Sequence, residues 1–225
     1  MRHSPGYRTS ATLMGALLLA GCGSLLGGGK RDDLFRFGVI ERTNDTAPQA
    51  AVARRPLSLL RLRFAPEIEG DRILTTRGAQ ALYIKDARWV ASVPDLFTQA
   101  LTRQFGARAP DLRLASPRSA TGASQALQVT IDRFEARYTP EADGKTPPTV
   151  VIAGEVTLFG ADDRQPVASR RFSVEEPALA NSTSGIVPAF DRAVTRYAAQ
   201  LVDWTAQTSR SASSNPPSGK GQKDE

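Results

Sequence analysis

Apolar and polar side chains alternate in twos over several stretches of this chain and switch to helical spacing in two others, which predicts a sheet with two helices. Leu34 to Val39 reads as a first strand, and Glu41 to Arg55, with Asn44, Asp45 and Pro48, reads as a loop. In Leu57 to Phe64, Leu60, Leu62 and Phe64 share one face while Arg61 and Arg63 take the other. Asp71 to Thr75 and Gln80 to Lys85 follow as two more strands, with Gly78 in the turn between them.

From Asp95 to Phe105 the period changes, because Phe97, Leu101 and Phe105 recur every fourth position with Leu96 and Ala100 beside them. Ser92 suits the N-cap, Pro94 the first turn and Gly106 the exit. Alternation returns in Gln125 to Tyr138, where Leu127, Val129 and Ile131 oppose Gln128, Thr130 and Asp132. Beyond Asp132 the apolar side chains are Phe134, Ala136 and Tyr138, so the phase flips and a β-bulge is predicted near Asp132 and Arg133. Pro140 to Pro148 is a loop, Val150 to Phe159 an antiparallel return and Pro166 to Val174 a third strand, with Asp162 and Asp163 in the turn. The closing helix carries the stripe Ile186, Phe190, Val194, Tyr197, Leu201 and Trp204 opposite Asp191, Arg192, Arg196, Gln200 and Asp203, and core packing is the default use of such a stripe. The predicted fold class is α/β of the α+β type: a single domain with a mostly antiparallel sheet and two amphipathic helices on one face.

The ends of the chain differ from this middle. Arg2 and Arg8 form a basic start, Ala11 to Ala20 an apolar run, and Leu19-Ala20-Gly21-Cys22 a bacterial lipobox. The run is about half of the roughly 20 residues a membrane span needs, so residues 1–21 read as a signal peptide and Cys22 as the lipidation site. Two or more acyl chains on one residue anchor a protein stably without spanning the bilayer. Gly23, not Asp, follows the cysteine, which matches lipoproteins forwarded to the outer membrane. Residues 22–33 read as the lipidated cysteine and a Gly-rich tether, 34–207 as the domain, and 208–225, rich in Ser, Pro, Gly and Lys, as a disordered tail.

Composition narrows the chemistry. The only cysteine of the 225 residues is Cys22 and the only histidine is His3, inside the signal peptide. No disulfide can form within the chain, and the mature protein lacks the commonest general base and metal ligand. The net charge of +6, about +4 without Arg2 and Arg8, reads as an ordinary basic surface or as a match for anionic lipid headgroups, and not for nucleic acid, which a secreted lipoprotein does not meet. Gly27-Gly28-Gly29-Lys30 fails as a phosphate loop, since Ser24 and Arg31 stand where Gly and Ser/Thr belong. Glu175 and Glu176 adjoin on a strand and so point to opposite faces. Asp162 and Asp163 lack the further oxygens that a Ca2+ site needs. These readings predict no enzyme, no cofactor and no metal.

Leu82, Tyr83 and Ile84, then Arg88 and Trp89, then Pro94, Leu96 and Leu101, with Asp71, Arg72 and Ile73 upstream, resemble the auxiliary lipoproteins of ABC-type lipid transport systems, the PqiC-like intermembrane lipid transport family. The resemblance spans Leu34 to Ala206. It implies a lipoprotein on the outer membrane facing the periplasm that works with an MCE-domain protein, an ABC permease and an ATPase, with a homo-oligomer in keeping with its relatives. Tyr83, Arg88 and Trp89 then read either as a patch for a partner or lipid, or as packing, with Trp89 capping the core beneath the first helix and Arg88 beside it. The rival functions are an outer-membrane assembly lipoprotein, a plug or chaperone of a barrel complex, and a hydrolase.

Overall fold

A strand of fourteen residues, β7 (Gln125–Tyr138), organises the sheet. The computed structural model describes residues 31–38, 54–160 and 164–214. The residues read as a signal peptide, Cys22, the expected turn at Asp162 and Asp163, and most of the expected Glu41 to Arg55 loop lie outside these. Along one edge β7 pairs antiparallel with β8 (Thr149–Gly160), which pairs antiparallel with β9 (Pro166–Pro177). Along its other edge three short strands follow one another, all parallel to it: β2 (Arg55–Leu59), β3 (Arg63–Phe64) and β4 (Arg72–Arg77). β6 (Leu112–Ala115) extends β2 in parallel, β5 (Gln80–Trp89) closes an antiparallel hairpin on β4, and β1 (Asp33–Phe35) lies parallel to β5.

The α+β class therefore holds, and the long pairings are antiparallel as expected, but the parallel contacts were not foreseen. They arise because the chain passes from β2–β5 through the helix α1 (Val93–Arg108) before it reaches β7, and a crossover of that length returns a strand in the same direction.

The bulge is where the change of phase places it. The β7–β8 register slips between Ile131 and Arg133, so Leu127, Val129, Ile131, Phe134 and Ala136 all turn to the helices and all are buried. Opposite the slip the two backbones are close. A Cβ on Gly154, the partner of Ile131, would stand 2.1 Å from the Thr130 carbonyl oxygen.

The helices, α1 and α2 (Thr183–Ser214), cover this one face. Ser92 caps α1 by accepting from the Asp95 amide at 3.3 Å. Every stripe residue of α2 from Ile186 to Leu201 is buried, and Phe190 stacks on Phe134 with ring centroids 5.0 Å apart. Burying a large apolar side chain is worth about 1.5–3 kcal/mol, and these stripes close the core over the buried face of the sheet.

Several boundaries differ from the sequence reading. Leu57 to Phe64 is two strands, because the chain leaves the sheet between Leu59 and Arg63. β6 had no alternating pattern long enough to be seen. Helix α1 runs past Gly106 to Arg108, whose guanidinium meets Asp203 of α2 at 2.9 and 2.5 Å. Asp32 and Asp33, assigned to the tether, belong to the domain: Asp33 pairs with Ala87 in β1, and the Asp32 carboxylate accepts from Arg88. The tail reading from Thr208 fails through Ser214, where α2 ends. Ser209, polar but buried, bonds the Gln125 side chain, and Ser213 meets Arg55 at 3.3 Å.

Candidate functional site

Strand β5 carries all three residues singled out in the sequence, and its irregular pairing with β4 separates them. The register slips between Arg72 and Leu74, and Asp86 takes a positive φ of 57° within the strand. Tyr83 lies opposite Leu74, on the face turned from the helices. Its hydroxyl donates to the Glu67 carbonyl at 3.0 Å, and the Arg72 guanidinium sits 4.2 Å above its ring. Arg88 bonds two carboxylates, Asp32 and Asp71, the latter at 3.1 Å. The hydrogen bond it donates to Asp32, and then the charge of Asp71, raise its pKa above the ordinary arginine value. Arg88 thereby fastens β1 to the β4–β5 hairpin.

Trp89 is only 1% exposed, with its ring edge-on to Phe37 at 5.0 Å and to Phe190 at 5.3 Å. It offers no surface to a partner, so a contact patch containing Trp89 is ruled out by burial and the packing alternative describes it. The next residue, Leu82, 57% exposed and among the most exposed large apolar side chains described, points to the opposite face from Tyr83, while Ala81, exposed, shares the face of Tyr83.

Elsewhere the ionisable groups are matched with one another. Glu176 faces the core and is held by Arg196 at 2.5 Å and Arg192 at 3.6 Å, while Glu175, on the other face, pairs with Arg137 at 2.7 Å. That division is the one strand geometry requires of neighbours. Asp143 accepts from the Thr146 hydroxyl and from the Lys145 and Thr146 amides, which holds its carboxyl below the usual range. Burial pushes the Tyr197 phenol well above its ordinary value, with the charge of Asp132 adding to it. Among the described residues no three His, Cys, Asp or Glu side chains gather where they could hold a metal ion. No described helix is long and apolar enough to cross a membrane.

Hollows of several hundred Å3 mark the surface of the described residues. One of about 630 Å3 lies between the start of α1 and the segment Leu59–Leu62, with Leu114 to Pro117 closing its side. A second, of about 480 Å3, opens on the helix-free face beneath residues 117–123, and Leu60 and Pro117 line both. A third, of about 690 Å3, lies on the same helix-free face near Glu67, Thr76 and Arg137. The sequence reading missed the first two because it ran β2 and β3 together and saw no structure at Leu112 to Ala115. The small residues Ala120, Gly122 and Ala123 were the available signal.

The model of a family described as ABC-type transport auxiliary lipoprotein component matches residues 39–202. Among curated proteins, none matches. Of solved structures, a Xanthomonas campestris protein is similar at 23% identity over 81% of this chain and 99% of its own, with a TM-score of 0.69. An uncharacterized protein is similar at 16% identity over 78% of this chain and 99% of its own, with a TM-score of 0.59. Both share the fold.

Proposed function

The chain belongs to the ABC-type transport auxiliary lipoprotein family, and from that membership we propose that it is a non-catalytic binding component of an MCE-type system that moves lipid between the two membranes of the envelope. The match of the family model across residues 39–202 carries this reading. The mutual pairing of Arg88, Glu175, Glu176 and Arg108 supports it, since groups committed to one another hold a surface together and are not poised for reaction.

Cys22, acylated after removal of residues 1–21, anchors the protein to the outer membrane on its periplasmic side. Ten positions separate Cys22 from Asp32, a tether of at most about 35 Å at roughly 3.5 Å per extended residue. The partners are an MCE-domain periplasmic protein and, through it, the ABC permease and ATPase. Half-buried Tyr83 and exposed Ala81, on the open face of β5, form the contact in place of the trio that included Trp89.

Affinity purification of the lipidated protein from solubilised membranes tests this. The MCE protein, the permease and the ATPase are expected to co-purify. Recovery of a barrel protein without them would replace the reading with an assembly role.

A further inference from the structure

On the face of the sheet that no helix covers, Ala126 of β7 and Phe159 of β8 stand side by side in register. The segment 117–123 passes over them and encloses a hollow of about 480 Å3, within the roughly 300–1,000 Å3 of sites that take small molecules. Its lining is apolar at Leu60, Ala120, Ala126 and Phe159, and basic at Arg63 and Arg164. Arg164 is held at a φ of 53°, a conformation that non-glycine residues seldom adopt, just after the close of β8 where the Gly160 amide donates to the Gln165 carbonyl at 2.9 Å.

Arg55, Arg88, Arg108, Arg137, Arg171 and Arg196 each meet a carboxylate. The side chains of Arg63 and Arg164, like those of Arg113 and Arg118, make no hydrogen bond or ion pair with a described residue, and of these Arg63 and Arg164 line the hollow. Guanidinium groups match phosphate and carboxylate geometry, and an apolar hollow beside them accepts hydrocarbon.

We propose that this hollow binds one acyl chain of an anionic amphiphile, with the chain against Leu60, Ala126 and Phe159 and the phosphate or carboxylate head between Arg63 and Arg164. The site deepens the lipid-transport reading and rests on it for the source of the ligand, while the binding chemistry rests on the hollow itself.

The test is calorimetric titration of the mature chain carrying Cys22→Ser with four probes below their micelle concentrations. Dodecyl phosphate and laurate carry the chain with an anionic head, dodecyl maltoside the same chain with an uncharged head, and inorganic phosphate the head alone. The site predicts one mole of dodecyl phosphate or laurate per mole of protein, the tighter of the two identifying the head it is built for. Dodecyl maltoside should bind at least tenfold more weakly and inorganic phosphate not measurably. The double variant R63E/R164E, both changes at exposed side chains, should weaken the anionic probes at least tenfold, and A126F, which fills the hollow, should abolish binding of every probe. Equal affinity for the phosphate and maltoside probes, or affinity unchanged in R63E/R164E, would overturn the proposal. Its failure is separable from that of the transport reading: amphiphile binding without co-purified MCE protein sinks the latter alone, and the reverse result sinks only the site.

Discussion

Tyr197 shows how one side chain ties stability to pH. It lies between the rings of Phe97 and Phe172, at 5.9 and 6.0 Å, and burial raises its phenol pKa. An unfolded tyrosine ionises near pH ~10, so the raised folded pKa means that the contribution of Tyr197 is full below that pH and declines as the pH climbs above it. Urea titrations of the wild type are expected to show stability falling above about pH 10, and Tyr197→Phe to remove part of that fall. An identical alkaline slope in the variant would refute the assignment. Gly38 is a second sensitive position. Its φ is +70°, and a Cβ there would stand 2.4 Å from that of Ala100. Its amide donates to Asp191 at 2.5 Å and its carbonyl accepts from Arg103 at 2.8 Å, which pins the start of the domain to both helices. Left-handed backbone costs other residues about 1–2 kcal/mol each. Gly38→Ala should lose at least that much in a denaturant titration, and an unchanged midpoint would show that this clamp adds nothing.

Elements were legible in the sequence where one residue period ran long enough. The stripe of α2 and the phase flip of β7 are of that kind, and even the bulge between Ile131 and Arg133 could be placed, because the burial of Phe134 and Ala136 demands it. The short parallel strands were not legible, since two to five residues carry no period and their partners are chosen by tertiary contact. The end of α2 was misjudged for a different reason: Ser209 is polar, and composition cannot reveal that its hydroxyl is buried against Gln125. The site was half legible. Tyr83, Arg88 and Trp89 do lie on one strand, but the slip between Arg72 and Leu74 separates them and Trp89 is buried, which no single-strand pattern encodes. Two predictions belong here. Ending the chain after Gln207 removes the Ser209 and Ser213 contacts and leaves Gln125 without its partner, so thermal unfolding should show a loss of about 1–3 kcal/mol; an unchanged Tm would mean that the last turns carry no load. Gly154→Ala places a methyl against the Thr130 carbonyl and should cost about 1–3 kcal/mol in the same assay, whereas a neutral result would place the bulge elsewhere.

At the scale of the molecule, both helices occupy one face of the sheet and leave the other to Tyr83, Arg137 and the hollow beneath residues 117–123. On the proposed tethering through Cys22, this open face is the surface offered to a partner. Cys22→Ser is expected to move the protein from the membrane fraction to the soluble periplasmic fraction and to abolish incorporation of labelled palmitate. Retention in the membrane would point to a second anchor. The account turns on the claim that the open face engages an MCE-domain protein. Photo-crosslinking in intact cells tests it most directly, with the reactive residue at Ala81, exposed on the open face of the hairpin, or at Thr195 on the exposed side of α2, followed by mass identification of the adducts. The account predicts an MCE-domain adduct from position 81 and none from position 195; barrel proteins alone at position 81, or equal MCE adducts at both positions, would contradict it.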